Sequence, residues 1–349
     1  MNYVLTFTLA LVIAVIGTPF TMKLAKKWGA IAYPGGRHIH KKPIPRLGGL
    51  ALYAGFWLAT LIAQVWDDSL WGLFLGSSLI LLVGIWDDIR EIRPMVKLFW
   101  QIVAASLLGF SFSMNMITLP LIGEVNFVMH GFGAIGFILM LFWVVGLVNT
   151  VNISDGLDGL AAGICFMAAL LLFWSANHIG QVGQVPAAHL TLALAGALLG
   201  FLVYNFPPAR VFMGDSGSMF LGYIIGGLSI IGLLKTATIL GLVFPLLVMG
   251  MPVTDLTFAI IRRKLRGQSM ATADRGHLHH RLLDAGLTQR QAVLSMYGIS
   301  ACFGGAAVLG AKGQWILALA MLIVVFALLV IILMRRTAML AVFSRRHSK

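Results

Sequence analysis

Long apolar runs alternate with short polar, turn-rich segments along almost the whole chain. A helix needs about 20 apolar residues to cross roughly 30 Å of hydrocarbon. Runs of that order lie at about 3–22, 47–66, 70–86, 95–113, 130–149, 157–176, 188–204, 217–234, 237–256, 291–310 and 314–334. They predict an all-α, polytopic membrane protein with about eleven transmembrane helices. The longest polar gaps, about 23–46 and 257–290, are too short for a soluble domain, so 1–349 reads as one integral-membrane domain. Met1-Asn2-Tyr3 leads directly into the first run with no basic segment before it, which predicts an uncleaved first span. No matching pair of Gly/Pro-broken runs marks two halves, a pattern that would favour a transporter.

Composition agrees with the pattern. Hydrophobic residues make up 59% and charged residues 11%, against about 25% charged in soluble domains. The formal charge of +13 would suggest nucleic acid in a soluble protein. Its placement gives another cause. With the N-terminus outside, all of the 25 Lys and Arg except Lys235 and Lys312 fall inside. The positive-inside rule therefore predicts an outside N-terminus and a cytoplasmic C-terminus, with inside loops at about 23–46, 87–94, 150–156, 205–216 and 257–290. No nucleic-acid partner is needed, while the basic tail suits anionic lipid. Cys165 and Cys302 both sit in apolar runs, which excludes a disulfide framework or thiolate metal cluster.

Acids are few, so their positions carry information. Asp87, Asp88, Glu91, Asp155, Asp158 and Asp215 cluster at the inner ends of runs, where ionisable groups are costly and point to function. The segments bearing Asp87/Asp88, Asp155/Asp158, Asp215 and His277–His280 are each separated by two runs, so all four return to the cytoplasmic side.

Each segment has its own chemistry. In Asp87-Asp88 adjacent helical side chains diverge by about 100°, so the two carboxylates serve different neighbours. Asn149, Asn152, Asp155 and Asp158 recur at every third position and, if helical, form one stripe of hard oxygen and amide groups suited to Mg²⁺, ribose or a base. Gly156 and Gly159 permit a tight turn or close approach. Asn205 through Ser218 contains Pro207-Pro208, which stiffen a loop, and Gly214-Asp215-Ser216-Gly217 just before a helix, whose first amides would be open to phosphate. Phe212 is a candidate for stacking on a base. Gly276-His277-Leu278-His279-His280-Arg281 lacks the His-Glu-x-x-His zinc pattern and suits anionic phosphate better. Residues 34–49, with Arg37, His38, His40 and Arg46 among glycines and prolines, suit a phosphate-gripping loop. Gly131-Phe-Gly133-Ala-Ile-Gly136 matches a dinucleotide glycine pattern, but it opens an apolar run with no strand before it, so helix packing explains it.

Together these motifs resemble the polyprenyl-phosphate N-acetylhexosamine-1-phosphate transferases, glycosyltransferase family 4. The carriers are Asp87-Asp88, Asn149-x-x-Asn152-x-x-Asp155-Gly-x-Asp158-Gly, Asn205 through Ser218 and His277-Leu-His279-His280. The eleven-span layout is similar to the family's. The translocase that uses UDP-MurNAc-pentapeptide usually has three consecutive histidines followed by Phe-Glu. Here the motif reads His-Leu-His-His-Arg, and Glu91 stands where that branch usually has a lysine. Both features resemble the branch that uses UDP-GlcNAc.

The resemblance implies transfer of GlcNAc 1-phosphate from UDP-GlcNAc to undecaprenyl phosphate, releasing UMP, in a bacterial plasma membrane with a cytoplasmic active site. Such a reaction opens synthesis of a cell-envelope polysaccharide such as teichoic acid or O-antigen. The translocase reaction, or another hexosamine-1-phosphate donor, is the alternative. Mg²⁺, or Mn²⁺ in its place, is the implied cofactor. Asp87, Asp88 and Asp215 are the expected catalytic residues, and Asp215, Asp88 and Asp155 the expected metal ligands. Asp87 or Asp88 would take a proton from the lipid phosphate or complete the metal shell. Asn149, Asn152, Asp155, Asp158, Asn205, Phe212, His277, His279, His280 and Arg281 are assigned to the nucleotide sugar. Lys97, Arg46 and His38 are assigned to the lipid phosphate. The expected partners are the two substrates and membrane lipid, and a homodimer is left open. A transporter would carry polar groups at mid-span rather than at inner ends, and a lipid phosphatase would need no nucleotide sugar.

Overall fold

The computed structural model describes residues 2–34, 42–66, 70–112, 133–179, 185–236, 244, 246–265 and 277–329. The chain forms two compact units, Met1–Pro245 and Leu246–Lys349. In the first, α1 (Tyr3–Trp28) is followed by β1 (Ile31–Ala32), β2 (Ile44–Pro45), α2 (Gly48–Ile62), α3 (Trp71–Ile89), α4 (Pro94–Phe112), α5 (Gly133–Ser154), α6 (Leu160–His178), α7 (Val185–Asn205) and α8 (Gly214–Thr236). The second contains α9 (Gly250–Leu265), α10 (Leu278–Asp284), α11 (Gln289–Ala311) and α12 (Trp315–Leu329).

Seven described helices, α1, α3, α4, α5, α6, α7 and α11, are long and apolar enough to cross a membrane. Helices α2, α8 and α12 lie on three more of the predicted runs. Of the run at 237–256, residues 244, 246–248 and 250–256 are helical. Residues 237–243 and 245 fall outside the described ones, and α9 begins only at Gly250, with Pro252 in its first turn, where a missing N–H costs little. It continues into the segment expected as loop and ends on Arg262, Arg263 and Lys264, cations that suit a helix C-terminus.

Local signals set several boundaries. Asn2 caps α1, accepting from Val4 N–H at 3.1 Å, and Gly29 ends it in the left-handed region. Thr288 and Gln291 form a reciprocal capping box at the start of α11. Thr6, Ala10, Ala14, Thr18, Thr21 and Ala25 form the buried stripe of α1, which packs on α7 and α2. Small residues allow such close helix contacts in lipid. Helix α8 is the hub of the first unit, packing on α3 and α5. Its buried Tyr223 hydroxyl reaches the carbonyls of Gly72 and Ala104, each at 3.0 Å. Trp143 of α5 donates to Ser229 at 2.8 Å.

Candidate active site

Strands β1 and β2 pair antiparallel, with Ile31 opposite Pro45 and Ala32 opposite Ile44. The chain leaving β2 is laced to the segment entering α8. Phe212 N–H donates to the Pro45 carbonyl at 2.8 Å, and the Gly48 and Gly49 amides donate to Phe212 and Met213 at 3.0 and 2.9 Å. This lacing sets Arg46 beside the first turn of α8. Gly214 sits at φ 70°, and a Cβ there would meet the Arg46 carbonyl and the Asp88 carboxylate, so only glycine fits. Gly84, one turn before Asp88, lets the Ser216 backbone lie directly on α3.

Asp88, whose side chain is 0% exposed, commits both oxygens to that turn. Oδ1 accepts from Asp215 N–H at 2.9 Å, and Oδ2 accepts from Ser216 N–H at 3.1 Å and the Ser216 hydroxyl at 2.7 Å. A carboxylate is favoured there because the first amides of a helix lack intrahelical partners and the helix dipole adds positive potential. The amides of Asp215 and Ser216, expected to be open to phosphate, are therefore taken. Asp88 fastens α8 to the end of α3.

Asp87 points to another neighbour. Its Oδ1 accepts from Ile92 N–H at 2.9 Å, and its Oδ2 lies 2.7 Å from Lys97 Nζ. The same ammonium lies 2.6 Å from Asp215 Oδ2. Arg46 completes the group, 3.5 Å from Asp88 and 3.9 Å from Asp215. Lys97 thus bridges an acid from α3 and an acid from α8. Asp155 shares this field. Burial first, and then the neighbouring Asp215 charge, pushes its carboxyl up to about 8.

The remaining polar residues of this unit frame the site. Asp158 accepts from Ala209 N–H at 2.9 Å. Asn205 accepts from Gly159 N–H at 3.1 Å and donates to the Val211 carbonyl at 2.8 Å. Asn152 donates to Ser218 at 2.8 Å, and Asn149 donates to Gln101 at 2.8 Å. The expected helical stripe is broken: α5 ends at Ser154, and Asp155 and Asp158 sit in turns before Gly159, itself at φ 72°. Phe212 is half-buried. His38 lies outside the described residues. Gln101 was not anticipated, although it stands out as a polar residue one turn beyond Lys97, and Ser218 closes the motif that begins at Asn205 without having been given a role.

The donor chemistry fits Mg²⁺ or Mn²⁺. Oxygens of Asp87 and Asp215 converge on one cationic atom, Lys97 Nζ. Among the described residues, no three or more His, Cys, Asp or Glu side chains group as a complete metal cage. Mg²⁺ commonly takes only one or two protein carboxylates and completes its shell with phosphate oxygens and water.

The second unit holds the histidines. Asp255 on α9 places Oδ2 3.0 Å from His277 Nδ1, and its Oδ1 accepts from Leu278 N–H at 2.8 Å. The His277 and His279 rings stack at 5.7 Å, and His279 and His280 lie 4.2 Å apart. Burial, with the neighbouring His280, lowers His279 to about 4. Arg281 follows on α10. Asp255 is not among the acids that the sequence motifs single out.

A bundle of long apolar helices carrying an acid–lysine centre at helix ends defines a multi-pass membrane protein with a charge-dense centre. The description of glycosyl transferase family 4 matches residues 70–233. The chain is 36% identical over 310 residues to the probable undecaprenyl-phosphate N-acetylglucosaminyl 1-phosphate transferase of Bacillus subtilis, covering 88% of this chain and 85% of that one. It is 34% identical over 357 residues to the decaprenyl-phosphate N-acetylglucosaminephosphotransferase of Mycolicibacterium smegmatis, covering 94% and 87%. It is 31% identical over 253 residues to the phospho-N-acetylmuramoyl-pentapeptide-transferase of Limosilactobacillus reuteri, covering 66% and 75%. The chain belongs to glycosyl transferase family 4, the polyprenyl-phosphate N-acetylhexosamine-1-phosphate transferases.

Proposed function

We propose that the protein transfers GlcNAc 1-phosphate from UDP-GlcNAc to undecaprenyl phosphate at the cytoplasmic face of a bacterial plasma membrane, as the first membrane step of an envelope polysaccharide. An oxygen of the lipid phosphate attacks the donor phosphorus that bears the sugar. The bond from that phosphorus to the bridging oxygen breaks, and UMP leaves with the electron pair. The observation that carries this reading is the bridging of Asp87 and Asp215 by Lys97, a charge-dense centre within the family-matched region.

Both reactants are anions, so catalysis is mainly positioning and charge neutralisation. Lys97 and Arg46 hold the acceptor phosphate, with Asp87 beside it. Mg²⁺, or Mn²⁺, would be held by Asp215 with Asp155 nearby, and would neutralise charge on the diphosphate when bound. Asp88, with both oxygens engaged, holds the loop and α8 in place. Asn149, Asn152, Asp158 and Asn205 keep the uridine pocket in shape, with Phe212 against the base. His277, His279, His280 and Arg281 serve the donor, an assignment that rests on the even number of predicted crossings between motifs. Placement of Lys and Arg supports an outside N-terminus.

Purified protein given radiolabelled UDP-GlcNAc, undecaprenyl phosphate and Mg²⁺ should form a labelled lipid and UMP. UDP-MurNAc-pentapeptide should give no product. Labelling only from the MurNAc donor would move the chain to the translocase branch, and phosphate release without a donor would indicate a phosphatase.

A further inference from the structure

The histidine cluster contains one carboxylate that the family motifs do not single out. Asp255 lies 22 residues before His277 in sequence, on a different helix, yet its Oδ2 is 3.0 Å from the His277 Nδ1. Both side chains are largely buried, 12% and 9% exposed. The other oxygen accepts from Leu278 N–H at 2.8 Å, which fixes the carboxylate's rotation. An ionised carboxylate can only accept hydrogen bonds. In the neutral ring the proton must therefore sit on Nδ1, and Nε2 is left as an acceptor. Stacking of the His277 ring on His279, with planes within 6°, further limits its rotation.

A nitrogen that offers only a lone pair is a poor partner for a diphosphate oxygen, which also accepts. It suits a donor group, and the sugar end of a nucleotide hexosamine supplies hydroxyl O–H and amide N–H groups. We infer that Asp255 is a positioning residue that fixes the tautomer and orientation of His277, so that Nε2 accepts a hydrogen bond from an O–H or N–H of the donor sugar. This inference rests on the proposed reading that the histidine motif serves the donor. It divides the motif: His277 faces the sugar, and contact with phosphate falls to other cations.

Asp255→Asn isolates the role. The amide oxygen can keep the Leu278 contact, which turns the NH₂ group toward Nδ1 and forces the proton onto Nε2. The full-length protein in detergent would be assayed for KM and kcat with UDP-GlcNAc, and for inhibition by UDP and UMP, which carry no sugar. Asp255→Asn and His277→Ala should each raise the KM for UDP-GlcNAc about tenfold, the lower end of the effect of losing a group that orients a functional histidine. The inhibition constants for UDP and UMP should stay within about twofold of wild type, and the double variant should be no worse than His277→Ala alone.

Three kinetic results would overturn the inference. Full activity in Asp255→Asn with a weakened His277→Ala would reject Asp255 while leaving the histidine reading in place. An unchanged KM in His277→Ala would remove that reading and this inference together. A parallel loss of UDP affinity would move His277 to the phosphates. Should Asp255→Asn fail to fold, the ¹⁵N spectrum of histidine-labelled wild type, with His277 assigned by its absence in His277→Ala, decides the case: a proton on Nδ1 supports the inference and a neutral ring protonated on Nε2 overturns it.

Discussion

The acid centre of the first unit and the histidine cluster of the second use burial in opposite ways. Around α8, charges are gathered and cross-linked: Lys97 bridges Asp87 and Asp215, Arg46 lies against Asp88 and Asp215, and Asp88 is satisfied by two amides and a hydroxyl. Around α10, one carboxylate orients one ring, and the buried His279 Nδ1 has no hydrogen-bond partner among the described residues. Burial pushes His279 down to about 4, which favours its neutral ring. Dense opposite charges keep a buried site ionic and therefore fit to handle phosphates. A buried ring held neutral, as His279 is, is suited to polar, uncharged groups. Under the proposed function, the comparison puts phosphate chemistry in the first unit and sugar recognition in part of the second.

The strongest test of that division is Asp215→Asn. It removes the charge that faces Lys97 at 2.6 Å and the leading carboxylate for a divalent ion. Turnover should fall by about a thousandfold or more, as expected for several kcal/mol of lost transition-state stabilisation. The melting temperature should change little, because an amide can still face Lys97. Near wild-type kcat at saturating Mg²⁺ would refute the assignment. Lys97→Met comes next. It leaves Asp87 and Asp215 without their shared cation, and kcat/KM for the lipid phosphate should fall about a hundredfold. A loss seen only in KM for UDP-GlcNAc would place Lys97 on the donor instead.

The two adjacent acids of α3 should then separate by phenotype. Asp88→Asn replaces an oxygen with an NH₂ group at the first turn of α8, where two amides and a hydroxyl donate. Leaving buried donors unmatched costs about 1–3 kcal/mol, so its melting temperature should drop clearly. Asp87→Asn should keep the melting temperature and lose turnover. Equal thermal stability of the two variants would contradict the structural role given to Asp88.

Sequence reasoning reached the helical architecture and the grouping of the acids of the first unit because charged residues are conspicuous in an apolar chain. Asp87, Asp88, Lys97, Asp155 and Asp215 were all singled out, and they are neighbours in the first unit. Sequence spacing did not reveal which acids face ligands and which face backbone. Asp88 and Asp158 end on amides contributed by residues more than fifty positions away, a relation with no local signature. Asp255 was missed for the same reason, since its partner His277 lies 22 positions later, at the start of another helix. The ninth run begins outside the described residues, and its helix continues past the predicted end at 256 to Leu265, because the apolar pattern fades before the helix does.

The smallest predicted effect concerns pH and stability in the second unit. His279 is held to about 4 in the folded protein, mainly by burial, against about 6.5 in an unfolded chain. A depressed folded-state value means that the unfolded chain binds the proton more readily. The stability associated with the neutral ring is therefore fully present above about pH 6.5 and is lost progressively as pH falls through about 4. Thermal unfolding in detergent at pH 7.5, 6.5, 5.5 and 4.5 would follow that window. Carboxylates also titrate there, so the informative quantity is the difference from His279→Gln, which cannot take the proton. Wild type should lose more stability on acidification than the glutamine variant, and the two curves should run parallel above pH 7. The Asp215→Asn background should show the same difference, because the acid centre contributes nothing to the His279 proton. Identical slopes for wild type and His279→Gln would mean that His279 is accessible and charged like an ordinary surface histidine, and the contrast between an ionic region and a neutral one would lose its basis.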